Sequence, residues 1–256
     1  MSAAEILLVL VAGFGAGVVN AVAGGGTMLV FPALLVTGHS AVTANVTSTL
    51  AVLPGYLSGV AGFRDEVRDD GPVLRALMPV AVVGTLAGAG LLVVISEAAF
   101  DAVVPWLVLA ATVLFAAGPQ IQRRIAARRG EGEQSADSAP VGLLVAVGAA
   151  SVYGGFFGAG LGIILLAALT AVLAAPMARL SGMKSVLQSV VGIVAAVLFA
   201  VAGPVAWDAA AVAAAGAVAG GYAGARLTRR LDARVVRATV VVIGAVVFVG
   251  LLARTV

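Results

Sequence analysis

Ten apolar runs fill this chain, and most of its charged residues are gathered into the short stretches between them. The runs lie near residues 5–23, 27–38, 42–62, 73–95 and 101–118, then 141–157, 161–175, 185–203, 206–225 and 235–253. In lipid every backbone polar group must find a partner inside the protein, and a helix needs about 20 apolar residues to cross the bilayer. The runs therefore read as membrane helices. Composition agrees: 62% of residues are hydrophobic and 11% charged, against about 25% charged in soluble domains. With 256 residues so divided, no soluble domain is expected. The N-terminus, MSAAEILLVL, carries Glu5 and no basic residue ahead of its apolar run, so a cleaved leader is not expected.

Two stretches break the apolar pattern. Residues 13–32 read GFGAGVVNAVAGGGTMLVFP, and residues 153–166 read YGGFFGAGLGIILL. Glycine weakens a helix interior by about 1 kcal/mol relative to alanine and lets backbone approach a ligand closely. Each stretch predicts a broken helix. The runs that follow, 27–38 and 161–175, are too short to cross comfortably. Each half is therefore expected to open with a re-entrant helical hairpin, and three transmembrane helices follow it.

Charge supplies the orientation. Arg64, Arg68 and Arg75 share one loop, and Arg123, Arg124, Arg128 and Arg129 lie in a polar stretch over 119–140. Arg179 and Lys184 follow the second hairpin, and Arg226, Arg229, Arg230, Arg234 and Arg237 precede the last run. Ten alternating crossings put all of these on one face. Arg254 falls on the other, with Glu5, Glu97, Asp101 and Asp208. The basic face is predicted to be cytoplasmic, which puts both termini outside the cell membrane. The loop FRDEVRDDG, with Asp65, Glu66, Asp69 and Asp70, reads as a solvated turn, and Arg179 as a loop charge. The pI near 9.9 reflects this orientation signal, and no nucleic-acid partner is read from it.

Five crossings per half is an odd number, so the two halves enter from opposite faces. They also resemble each other at an offset of about 136: AGGGTMLVFP matches AGLGIILLAA, and TANVTSTLAVLPG matches LSGMKSVLQSVVG. The predicted fold class is an all-α integral membrane protein of two inverted-topology repeats. The first repeat spans 1–118, a cytoplasmic linker 119–140, and the second repeat 141–256.

Polar residues inside the runs mark the chemistry. Asn45, Thr47 and Ser48 follow the first hairpin, with Thr43 and Thr49; Lys184, Ser185 and Gln188 follow the second. Helix starts carry partial positive charge and free N–H groups. Two of them meeting at mid-membrane, lined by Asn20, Gly24, Gly25 and Gly26 and by Gly160 and Gly162, would make a cradle for a small anion. Lys184 is the only lysine; it either attracts the anion or snorkels to the surface. Asn20 either donates to the solute or satisfies the broken backbone beside it. Tyr153 either lines the cavity or anchors at the interface, and lone His39 either relays protons or is an ordinary loop residue. The glycines of GAGVV and AVAGGYAG serve close helix packing. With no cysteine and a single histidine, no metal, cofactor or disulfide is read. No acidic pair lies within a run, which argues against an intramembrane enzyme.

The stretch from GFGAGVVNAVAGGG to LSGVAGFR, with YGGFFGAGLG and SGMKS in the second half, resembles the sulfite exporter TauE/SafE family of bacterial and archaeal membrane proteins. The resemblance implies movement of sulfite, sulfoacetate and related organosulfonates across the cytoplasmic membrane, mostly outward. Where that family often has a glycine-threonine-serine turn, this chain has Asn45, Val46, Thr47 and Ser48, and in the second half Gly182, Met183, Lys184 and Ser185. The expected function is secondary transport of a small anion by alternating access, coupled to a proton or sodium ion or driven by membrane potential. An anion channel built from the same hairpins is the alternative. Gly- and Ala-rich outer faces leave room for a homodimer.

Overall fold

The computed structural model describes residues 1–22, 25–128, 139–227 and 233–255. Among them are ten helices and no strand. In chain order the first five are α1 (Ala3–Val22), α2 (Thr27–Val36), α3 (Ala41–Gly62), α4 (Gly71–Val94) and α5 (Glu97–Arg128). The second five are α6 (Val141–Phe156), α7 (Leu161–Val172), α8 (Met177–Ala202), α9 (Trp207–Leu227) and α10 (Ala233–Thr255). Five helices, namely α1, α4, α5, α8 and α10, are long and apolar enough to cross a membrane. Large apolar side chains such as Val83, Trp106, Val201 and Val246 lie exposed on their outer faces, where a bilayer rather than water suits them.

Two helix boundaries differ from the hydropathy reading. Helix α5 continues ten residues past Gly118, through Pro119 to Arg128. Helix α8 begins at Met177, eight residues before the apolar run at 185. Hydropathy stops at QIQRRIAAR and at MARLSGMK, yet arginine, glutamine, lysine and methionine all favour helix. Arg179 and Lys184 are thus helical residues and not loop charges.

The helices pair across the chain. Helix α1 packs on α9, and α4 on α6; α3 meets α8, and α5 meets α10. The α1–α9 seam is made by glycine. A Cβ at Gly13 or Gly17 would strike the carbonyls of Ala213 and Ala217, and one at Gly216 or Gly220 the carbonyls of Leu10 and Phe14. Gly84, Gly88 and Gly155 do the same between α4 and α6. Without a hydrophobic driving force between helices in lipid, such backbone-to-backbone approach is what holds them together.

Candidate functional site

Both predicted interruptions are present, and each is tied by a side chain. Between α1 and α2, the Asn20 Oδ1 accepts from the backbone N–H of Gly25 at 2.8 Å and of Gly26 at 2.7 Å. An amide oxygen here does what an N-cap does, supplying an acceptor to the orphan donors of a helix start. Gly26 is packed against the Ala16 carbonyl with no room for a Cβ. Gly24 lies outside the described residues. Between α6 and α7, the Tyr153 hydroxyl donates to the Ala159 carbonyl. Gly160 caps α7 with φ +79°, a left-handed conformation that only glycine adopts without cost. Tyr153 therefore serves the break itself.

The two breaks lie side by side. The Phe31 ring of α2 meets Phe157 edge-on at 5.6 Å, and a narrow crevice between them is lined by Thr27, Met28, Phe31, Phe157, Ala159 and Gly244. Phe115 of α5 abuts Gly25, while its neighbour Leu114 and Ala111, one turn earlier, abut Gly160. One helix thus backs both interruptions.

The eleven sequence-predicted residues that are described fall into two groups. The first surrounds the α1–α2 break. Here Asn20, which ties Gly25 and Gly26, faces α3 at Gly55, where the Asn20 Nδ2 is 3.0 Å from the Cβ position. The next residue, Tyr56, brings its hydroxyl to 3.4 Å from Thr27 Oγ1 and interacts with Gln188 of α8. Ser185, one turn before, packs on Gly59, and Lys184 is half-buried on the turn that leads to Gln188. Two amide nitrogens in this cluster, Asn20 Nδ2 and Gln188 Nε2, are buried with no hydrogen-bond partner. Gln188 as a whole is only 2% exposed. Unmet buried donors are costly, and native proteins keep few of them. No described residue forms an ion pair with Lys184.

The second group surrounds the α6–α7 break. Asn45 donates from Nδ2 to the Phe156 carbonyl at 2.8 Å, and its Oδ1 has no partner. Gly160 and Gly162 belong here. The Ser48 hydroxyl is spent on the Asn45 carbonyl, and the Thr47 Oγ1 accepts the N–H of Ala206 in the α8–α9 loop at 3.0 Å. Asn45 and Tyr56 are eleven residues apart on α3, or about 16 Å. The donors are at one end of that distance and the orphan acceptor at the other.

Some contributors escaped the sequence reading. Thr27 and Tyr56 are in the cluster, and the only advance signal was a tyrosine placed just after Pro54 and Gly55. Asp70 is a second case. It is 3% exposed and accepts twice from Arg179 Nε, at 2.9 and 3.0 Å, as well as from Nη2. It is no part of a solvated turn, because the fork of α8's first turn draws it inward. His39 stays local, its Nδ1 lying 3.0 Å from Thr37 Oγ1 and 3.2 Å from the Leu34 carbonyl.

A multi-helix membrane protein with an interrupted helix and a donor-rich polar cluster at its centre has the build of a solute transporter. The family model described as "Sulfite exporter TauE/SafE" matches residues 9–251, and the chain belongs to that family. It is similar to a "Probable membrane transporter protein" of Haemophilus influenzae (strain ATCC 51907 / DSM 11121 / KW20 / Rd), 31% identical over 159 residues. That match covers 61% of this chain and 58% of the relative's length. No solved structure matches the chain.

Proposed function

We propose that this transporter carries a small oxyanion, sulfite or an organosulfonate, outward across the cell membrane by alternating access. One observation carries the reading: Asn20 and Gln188 bring two unpartnered amide donors to one buried cluster, beside the hydroxyls of Thr27 and Tyr56. Every group there is able to donate, and Lys184, half-buried on the adjoining turn, adds positive charge. An anion satisfies such a set, whereas a cation would not. Among the described residues the cluster holds no carboxylate, and the Asn20 amide oxygen is already taken by two backbone N–H groups.

The pairing of helices supports the alternating-access reading. Renaming α1–α5 as α6–α10 and the reverse turns the α1–α9 contact into α6–α4 and leaves α3–α8 and α5–α10 unchanged. That exchange supports two halves of inverted topology, with α2 and α7 as the re-entrant arms of two hairpins. Inside-negative voltage drives the exit of each unit charge by about 2.3 kcal/mol per 100 mV.

Efflux from proteoliposomes loaded with radiolabelled sulfite is the test. Saturable efflux that Lys184→Ala or Gln188→Leu slows is expected. Flux that rises linearly without saturating, with single-channel conductance, would make the protein an anion channel. Normal flux by Lys184→Ala would remove that lysine from the mechanism.

A further inference from the structure

The α3–α4 loop does not hang free. Its Phe63 and Val67 press on Gly182 of α8 so closely that a Cβ there would strike the Val67 side chain. One turn earlier on α8, Arg179 grips the buried Asp70 at the end of the same loop. Together these contacts cover the first two turns of α8, and below them lie Lys184, Ser185 and Gln188 of the donor cluster. From Arg179 to Gln188 is nine residues, or about 13 Å along the helix. The cover sits on the arginine-rich face.

A matching contact closes the opposite face. The α3 segment matched to Gly182–Ser185 is Asn45–Ser48. Val46 of that segment touches Gly203 at the end of α8, whose Cβ position is 3.2 Å from Val46 Cγ1. Ala206 in the α8–α9 loop donates its N–H to Thr47 of the same segment. Each half thus lays a loop on the long helix of the other half, once per face. The chemistry of the two contacts differs. On the basic face it is a two-pronged ion pair with one partner buried, and on the other a single neutral hydrogen bond.

We infer that Asp70 and Arg179 are the gate of the arginine-rich face, holding the α3–α4 loop over the donor cluster and parting when the cluster opens to that side. This rests on the transport reading above. Charge-assisted, bidentate bonds are the stronger kind, so the gate biases the resting protein toward closure on this face. Loss of Arg179 strands a carboxylate that is 3% exposed. Loss of the Asp70 charge strands a guanidinium that is 43% exposed and readily hydrated. Arg179→Gln is therefore the more disruptive change.

The chain has no cysteine, so a Ser185→Cys reporter can be read alone. Membrane vesicles of known sidedness are treated with a membrane-impermeant maleimide from the arginine-rich face. Asp70→Asn should speed labelling about tenfold and Arg179→Gln by more, as a shifted two-state population requires, with no gain from the opposite face. Arg179→Lys should fall between them and the parent. In a second arm, a bifunctional thiol cross-linker of ion-pair length joins Asp70→Cys to Arg179→Cys, which should abolish sulfite efflux reversibly. This arm decides the matter if the charge variants fail to fold. Labelling at the parent rate in both charge variants, or undiminished efflux through the cross-linked protein, would overturn the gate. Failure of the parent to move sulfite would strike the transport reading instead, since labelling needs no substrate.

Discussion

Gln188 and Asn20 look alike in the sequence, as single amides in apolar surroundings, and do different work. Asn20 spends its oxygen on two backbone N–H groups, and Asn20→Ala leaves both buried without an acceptor. About 1–3 kcal/mol is lost per stranded donor, so a fall in Tm of several degrees in detergent is expected. Gln188 makes no direct hydrogen bond from Nε2 and meets the Tyr56 hydroxyl only electrostatically. Gln188→Leu should keep or raise the Tm while raising the apparent KM for sulfite about tenfold, the loss of one charge-assisted bond. A Tm that falls with unchanged KM would reverse these assignments. The sequence pointed to Asn20 because a polar residue next to three glycines has few other uses. Tyr56 and Asp70 stayed hidden, since a membrane tyrosine reads as an anchor and a carboxylate among charges as solvated. Asp70 finds its partner only through the approach of α8, and Tyr56 through the approach of α2 and α8.

Among the elements, legibility depended on what a pattern measures. The two breaks could be read directly, because glycine and a short apolar run each signal the end of a helix. The ends of α5 and α8 could not, because hydropathy reports preference for lipid while the helix ladder continues through arginine and lysine. Glycine spacing was informative but could not name the partner helix. Gly88 has the Val152 carbonyl where a Cβ would go, whereas Gly90, two residues on, faces open space. Gly88→Ala should therefore prise α4 from α6, costing about 1–3 kcal/mol through overpacking. Gly90→Ala should be neutral or gain up to about 1 kcal/mol from helix propensity. Thermal unfolding of the two variants side by side checks this. Equal effects would mean that the seam is looser than described. Thr47→Val, which removes the acceptor of the Ala206 N–H, should speed labelling of the donor cluster from the face opposite the arginines. The gain should be smaller than for Arg179→Gln.

For the molecule as a whole, repeat similarity and charge placement already suggested two halves of opposite sense, but they could not say how the halves join. A single anion cradle was expected where the helix starts meet. Asn20, Ser185 and Gln188 lie toward the Gly55–Gly59 stretch of α3, and Asn45, Thr47 and Ser48 near its start. Sidedness is open to a direct check. Alkaline phosphatase fused after Val256 should be active, and a green fluorescent protein there dark, if the carboxyl terminus faces outward. The order in which the chain is made adds one more consequence of the α1–α9 seam. The first helix to leave the ribosome must wait for the ninth, about 200 residues later, which at ~5–20 residues per second is roughly 10–40 s. Its Gly13–Gly17 face spends that time without α9, so this seam closes only when synthesis is nearly over, and any pause or truncation before α9 leaves that face uncovered.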